Sequence, residues 1–196
     1  MTDLLRRFAL IAAVLGVVAV GAGQPLTRAL LPGFERELAL LDDTFRVDRL
    51  YIGQDGSDQV LRVEVGLAHA LTLNGQTFYP DPRGRATAST LVGNLTLPCV
   101  LLAAVALAWP IQSGRGPRIL VYRILALVPA LLLLCVLDVP FVLWAQVWGV
   151  VVHIADPNRF SPLLLWGDFL LGGGSFAIAL ALGACVGSIG ARSSRP

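Results

Sequence analysis

The sequence predicts an α-helical integral membrane protein with four transmembrane helices, one interfacial helix and a small extracytoplasmic antiparallel β segment. Composition is the first reason: 56% of the 196 residues are hydrophobic and 14% are charged, whereas soluble domains carry about 25% charged residues. The second reason is that the apolar residues fall in blocks as long as a membrane crossing, which takes about 20 residues. The third is a single long polar stretch, residues 32–89, that carries strand and turn signals.

The first apolar block extends from Phe8 to Gly23 and can be prolonged to Leu31. Arg6 and Arg7 precede it and small residues close it, which is typical of a secretory signal peptide and equally of a retained signal anchor. We expect a signal anchor, with the N-terminal helix in residues 1–31.

Residues 32–89 form the predicted strand-rich domain. Apolar side chains at every second position indicate a half-buried strand, and they are Leu61, Val63, Val65 and Leu67. Phe45–Ile52 is the expected partner strand, joined by a turn at residues 53–58. Asn74-Gly75 is a strong hairpin signal because both residues tolerate positive φ. Two or three strands are marginal alone, so we expect them to rest on the bilayer, on helices or on another subunit.

Residues 90–196 form the predicted three-helix membrane domain. Its expected spans are Leu91–Trp109, Ile119–Leu137 and Leu163–Ile189. The apolar block that starts at Ile119 ends only at Ile154, too long for one crossing and too short for two with a polar turn. Asp138 and Pro140 divide it, so we predict a separate interfacial helix at residues 140–154. Aromatic side chains are enriched at headgroup depth, which makes Trp144 and Trp148 its expected anchors.

Arginines predict the orientation. Seven of them flank the spans on one side, where positive residues stay cytoplasmic: Arg6, Arg7, Arg115, Arg118, Arg123, Arg192 and Arg195. The other side holds the acidic domain and only Arg159 in its short loop. We therefore expect a multi-pass protein of a bacterial plasma (inner) membrane, with cytoplasmic N- and C-termini and residues 32–89 extracytoplasmic.

Small residues recur every four positions in the last span. They are Ala179, Gly183, Gly187 and Ala191, a spacing that lets helix backbones approach closely. The pattern fits a helix-packing face within this chain, or a face for another subunit. Upstream, Gly172-Gly173-Gly174 suggests a flexible or kinked point.

Polar residues collect near the outer ends of the spans: Gln24, Asn94, Thr96, Asp138, Gln146 and Asp168. We single out Asn94, Asp138 and Asp168 as a polar outer layer, because ionisable groups inside the hydrocarbon are costly. This layer is a candidate site for an ion, a substrate segment or a partner helix. The alternative is that both aspartates simply lie at headgroup depth.

Catalytic and cofactor patterns are weak in this sequence. Cys99, Cys135 and Cys185 all lie in apolar runs, which is typical of cysteines that act as small hydrophobic residues. A membrane cysteine peptidase would need Cys135 beside His153 or Arg159, and no spacing holds them together. We expect no metal, no cofactor, no nucleic-acid partner and no enzymatic activity.

The layout resembles that of the exosortase H-associated membrane protein family. The most specific stretch is Leu91–Pro110, LVGNLTLPCVLLAAVALAWP, in which an Asn-containing lead enters an apolar helix through a Leu-Pro step. This resemblance implies a non-catalytic accessory or scaffold subunit of an envelope-processing or envelope-assembly complex. Its partners would be the lipid bilayer and other membrane protein subunits. The alternatives are a small transporter or ion-conducting protein and, more weakly, the peptidase.

Overall fold

The computed structural model describes residues 2–110, 116–156 and 159–189. The described elements, in chain order, are α1 (Thr2–Leu41), β1 (Phe45–Asp55), β2 (Asp58–Leu67), β3 (Leu71–Leu73), β4 (Gln76–Phe78), β5 (Ala86–Leu91), α2 (Val92–Ala108), α3 (Gly116–Ala155), α4 (Pro162–Phe169), a π-helical turn (Leu170–Gly174) and α5 (Ser175–Gly187). Long apolar helices and a small antiparallel sheet are thus present, as the sequence predicts.

Within the described residues, three helical stretches are long and apolar enough to cross a membrane: Asp3–Leu41, Pro117–Ala155 and Pro162–Gly187. This finding fits a membrane location. Helix α2 is also apolar but has only 17 residues, about 26 Å at 1.5 Å per residue. That length is at the lower limit for a spanning helix, so four spans stay a prediction.

The chain divides into two compact units. The first, which we call the bundle unit, contains Met1–Gln24, Asn94–Cys135 and Gly173–Pro196. The second, the sheet unit, contains Pro25–Gly93 and Val136–Gly172. Helices α1 and α3 each contribute one part to each unit.

The core of the bundle unit is aliphatic and comes from α2, α3 and α5. Its buried residues are Leu102, Ala106, Ala130, Leu134, Ala179 and Val186. Four of these are alanines or valines, which lets the helix backbones lie close together. In a water-soluble protein, the hydrophobic effect of burying such side chains stabilises the core strongly. Between lipid-solvated helices that effect is absent, and close van der Waals contact stabilises the packing instead.

The sheet unit contains a three-stranded antiparallel sheet in the order β1-β2-β5. The predicted alternation is confirmed in β2, where Leu61, Val63 and Val65 are at most 1% exposed. The β1–β2 turn is shorter than expected, because Gly56 (φ 60°) and Ser57 alone connect Asp55 to its partner Asp58. A positive φ at only the first of the two turn residues is the type II′ pattern, which matches the twist of a hairpin.

The hairpin predicted from Asn74-Gly75 is also confirmed. Both residues have positive φ, 47° and 78°, and they join β3 to β4 in a separate two-stranded sheet. Five strands are therefore described where two or three were expected. Strand β5 was missed because its sequence, ATASTL, has too few large apolar residues to show an alternation.

The predicted division of α3 was wrong. A single 40-residue helix runs from Gly116 to Ala155, and neither Asp138 nor Pro140 ends it. Proline removes one backbone hydrogen bond, which a long, well-packed helix tolerates. The boundary between the two compact units falls within this helix, between Cys135 and Val136.

Helix α1 is also longer than expected, because it continues through residues 32–41, which were assigned to the strand-rich domain. Phe34 and Leu38, four positions apart, are 3% and 0% exposed. Side chains at i and i+4 share one helix face, so this pair provides the apolar contact that keeps the last turns of α1 helical.

The expected kink in the last apolar block is confirmed. Gly173 has φ 108° and interrupts the helical backbone between α4 and α5, a conformation that residues with a side chain rarely adopt. The predicted span Leu163–Ile189 is therefore two helices joined at a bend.

Candidate functional site: the joined ends of α2, α3 and α5

The glycines of α5 face α2 of the same chain. A Cβ atom on Gly183 would lie 2.9 Å from the Leu102 carbonyl oxygen and 2.9 Å from the Val105 Cβ. On Gly187 it would lie 3.0 Å from the Cβ of Trp109. Ala179, one turn before Gly183, is fully buried. The predicted helix-packing face therefore packs within the bundle unit, and its fourth member, Ala191, lies outside the described residues.

This contact depends on glycine because no side chain fits between the two backbones. Real Cβ atoms essentially never approach other atoms to within 3.0 Å. At Gly183 the nearest neighbour is a backbone oxygen, which cannot move without shifting α2. Close backbone approach of this kind is what small residues at i and i+4 provide in membrane helices.

One turn beyond this contact, a buried arginine joins three chain segments. Arg123, on the second turn of α3, is 1% exposed. Its guanidinium donates hydrogen bonds to the carbonyl oxygens of Trp109 (2.7 Å), Pro110 (3.2 Å) and Ile189 (3.2 Å). Trp109 and Pro110 follow α2, and Ile189 follows α5.

The chemistry of these acceptors explains why a buried cation is tolerated. The last carbonyls of a helix have no partner within the helix and carry a partial negative charge. Arg123 donates to carbonyls that lie just after the ends of α2 and α5. Its planar guanidinium group has five N–H donors. The C-terminal ends of α2 and α5 and the N-terminal end of α3 therefore lie together in the bundle unit.

From the sequence, Arg123 was expected only to be a flanking positive charge. A signal for its role was present: Arg123 lies inside an apolar helical segment, where an ionisable residue is expensive unless it is paired. The sequence contains no information on which carbonyls it would meet.

The three residues of the polar outer layer differ in burial. Asp138 is 6% exposed, whereas Asn94 and Asp168 are exposed. Asn94 belongs to the bundle unit and the two aspartates to the sheet unit. Within the described ranges, no group of three or more His, Cys, Asp or Glu side chains is placed to hold a metal ion.

The predicted interfacial anchors, Trp144 and Trp148, pack against the sheet. The ring of Phe45, at the start of β1, meets both edge-on, with centroid distances of 5.5 Å to Trp144 and 6.0 Å to Trp148. Trp144 is 2% exposed, so its ring is covered by the sheet unit and not displayed at a surface. Its indole N–H is buried without a hydrogen-bond acceptor in the described chain.

Side-chain amides connect α3 to the strands. The Gln146 Oε1 accepts a hydrogen bond from the Ser89 backbone N–H (3.1 Å) on the edge strand β5, and Asn74 Nδ2 donates to the Ala155 carbonyl oxygen (3.5 Å). Edge strands expose unpaired backbone groups, so Gln146 supplies an acceptor that the sheet lacks. The expectation that so small a sheet leans on a helix agrees with these contacts.

Two of the three cysteines meet in the bundle unit. The Sγ atoms of Cys99 on α2 and Cys135 on α3 are 3.9 Å apart, while Cys185 is exposed. Cys135 is buried, and His153 and Arg159, which a peptidase would need beside it, are both exposed in the sheet unit.

No family model matches the chain, and comparison with curated proteins and with solved structures finds none that is similar to it. The class that the described part of the chain defines is a predominantly helical protein, with three helical stretches long and apolar enough to cross a membrane and two small antiparallel sheets.

Proposed function

We propose that this protein is a non-catalytic accessory or scaffold subunit of a larger complex in a bacterial plasma membrane, working in envelope protein processing or assembly. The observation that carries the proposal is the position of Arg123. Its guanidinium is fully buried and is committed to three backbone carbonyls at helix ends. A residue used in this way rigidifies the bundle, which supports a structural role.

Other distinctive residues support the same interpretation. Gly183 and Gly187 allow α5 to pack closely against α2. Trp144 packs edge-on against Phe45, and Gln146 accepts a hydrogen bond from the edge strand β5. Each of these residues stabilises the fold, as expected of a protein whose role is to present fixed surfaces. The resemblance to exosortase-associated proteins favours envelope processing or assembly as the setting.

The proposed topology has four spans, cytoplasmic N- and C-termini, and residues 32–89 outside. Support comes from the Arg123 contacts, because α2 and α5 end where α3 begins, as required if α2, α3 and α5 cross in alternating directions. The arginine-rich flanks then share the cytoplasmic side. The lipid bilayer covers the remaining apolar surface.

The N-terminal half of α1 has two different faces, which suggests where a partner subunit would bind. Its half-buried positions include Ala12, Leu15 and Ala19, and at Gly23 a Cβ atom would lie 3.2 Å from Thr96 on α2. The opposite face is aliphatic and exposed: Leu10, Val14, Val17 and Val20 are between 56% and 90% exposed. One face therefore belongs to the bundle, and the other is available to lipid or to another membrane helix.

Site-specific photocrosslinking in native membranes tests the proposal. A photoreactive residue at Val17, which is 75% exposed, should give a protein adduct of constant size that co-purifies in mild detergent. The matched control is Leu15 on the half-buried face, which should crosslink within the chain. If Val17 yields lipid adducts alone and the chain purifies without a stoichiometric partner, the accessory-subunit proposal is wrong.

A further inference from the structure

The two closest cysteines lie on different helices of the bundle unit. Cys99 and Cys135 are 36 positions apart in the sequence, yet their Sγ atoms are separated by only 3.9 Å. Cys99 packs against the buried core cluster, which includes Leu134, the residue next to Cys135. The contact between α2 and α3 therefore keeps both thiols at the same level of the bundle.

We propose that Cys99 and Cys135 form a redox-active dithiol that a lipid-soluble quinone oxidises to an interhelical disulfide. A disulfide requires an S–S distance of about 2.05 Å. The sulfurs must therefore approach by roughly 1.9 Å. Rotation about the Cα–Cβ bond of each cysteine is the movement by which we propose that they meet.

The reaction balances as a two-electron oxidation. The two S–H bonds break and one S–S bond forms. Both electrons pass to the quinone ring, and the two protons go to its carbonyl oxygens, which gives the hydroquinone. The S–H···S contact between the thiols is part of the geometry that is already in place, and thiol–disulfide chemistry proceeds through such close sulfur–sulfur approach.

The surroundings of the pair determine the class of oxidant. Cys135 is buried and Cys99 is partly buried. The segments that carry them, residues 97–108 of α2 and 124–137 of α3, contain only apolar residues. A charged oxidant such as oxidised glutathione is disfavoured there, because moving ions into an apolar medium is costly. An uncharged, lipid-soluble quinone reaches such a site through the hydrocarbon. The exposed Cys185 is the internal reference for accessibility.

The test uses the full chain in detergent, treated with a fully ring-substituted benzoquinone, which has no free ring position for thiol addition. The expected result is a fall from three free thiols per chain to one, with a mass loss of about 2 Da for the two hydrogens removed. A dithiol reductant should restore all three. Oxidised glutathione at the same concentration should leave Cys99 and Cys135 reduced.

Single substitutions make the assignment. Cys185→Ala should still lose two thiols within a monomer, whereas Cys99→Ala and Cys135→Ala should each keep both remaining thiols. Three free thiols in the treated wild-type chain would overturn the proposal. So would a thiol loss that disappears in Cys185→Ala, because the oxidation would then run through the exposed cysteine. Alanine is small enough for these helix interiors, and the wild-type mass measurement stands without any variant.

Discussion

A larger side chain at Gly183 is the change whose effect on stability the structure predicts most clearly. In Gly183→Ala the new methyl would lie 2.9 Å from both the Leu102 carbonyl oxygen and the Val105 Cβ. Overpacking costs about 1–3 kcal/mol, and alanine recovers about 1 kcal/mol through its higher helix propensity. The expected net loss is therefore between about 0 and 2 kcal/mol. Gly183→Leu adds three further carbons in the same direction, so we expect about 3 kcal/mol.

Thermal unfolding in detergent provides the assay. For a chain of this size, 1 kcal/mol corresponds to about 2–4 °C in Tm, so Gly183→Leu should lower Tm by about 6–12 °C. The matched control is Gly16→Leu on α1, the same chemical change at a position where an added Cβ meets nothing within 4 Å. It should unfold at or above the wild-type temperature.

The result that would refute this reasoning is a Gly183→Leu protein as stable as the control. The α2–α5 contact would then be looser than its distances indicate. Measuring partner binding distinguishes the two roles that the sequence left open for the glycine face, packing within this chain and binding another subunit. A Gly183→Leu chain that accumulates normally and keeps its Tm but loses a partner would show that the glycine face is intermolecular.

Four further predictions follow from individual contacts. Arg123→Gln should destabilise the protein by about 3 kcal/mol, since hydrogen bonds from charged donors contribute about 1.5–3 kcal/mol each; Arg123→Lys should fall between it and wild type in a thermal melt. Gln146→Ala should speed hydrogen exchange at the β5 edge, whereas Gln146→Glu, which keeps an acceptor there, should change it less. Trp144→Phe should cost far less than the roughly 3–5 kcal/mol of Trp144→Ala, because it removes a buried donor without an acceptor; equal losses would show that the indole N–H is satisfied. In a cysteine-free chain, a cysteine introduced at Asp55 should react with an impermeant maleimide from outside the cell and one at Arg115 should not, and the reverse pattern would invert the topology.

The parts of the sheet unit that were predictable are those with short-range signals. Alternation over four apolar positions indicates β2, and Asn74-Gly75 indicates a hairpin, because each depends on neighbouring residues alone. Strand β5 carries no such pattern. It is a strand because its backbone pairs with β2, from Val60 opposite Leu91 to Val65 opposite Ala86. Pairing of this kind depends on tertiary structure and does not appear in local sequence.

Helix boundaries were less predictable than helix existence. The hydrocarbon of a bilayer is about 30 Å thick, which is why α3 was expected to divide, whereas a 40-residue helix is about 60 Å long. Bilayer thickness limits how much of a helix lipid can cover. It does not decide where the helix ends, which depends on capping, packing and backbone hydrogen bonds. The same error shortened α1 at Leu31.

The candidate site depends on contacts between residues far apart in sequence. The spacing of Gly183 and Gly187 identified a packing face, but the identity of its neighbour, α2, needed the structure. Arg123 and the Cys99–Cys135 pair had weaker signals, an ionisable residue in an apolar helix and cysteines in apolar runs. Neither pattern predicts how close Arg123 lies to the backbone carbonyls, or how close the two cysteine sulfurs lie to each other.

The position of Arg123 also changes the argument for orientation. A guanidinium that is 1% exposed and bonded to backbone carbonyls is not a free charge for the positive-inside rule, which counts basic residues in loops and near span ends. Arg6, Arg7 and Arg118 are exposed, so the side that we propose to be cytoplasmic keeps its positive flanks without Arg123. Arg123→Gln should therefore weaken the bundle while the orientation in the maleimide assay stays unchanged. An inverted or mixed orientation in that variant would show that Arg123 acts on topology directly and that its helix-end contacts form only afterwards.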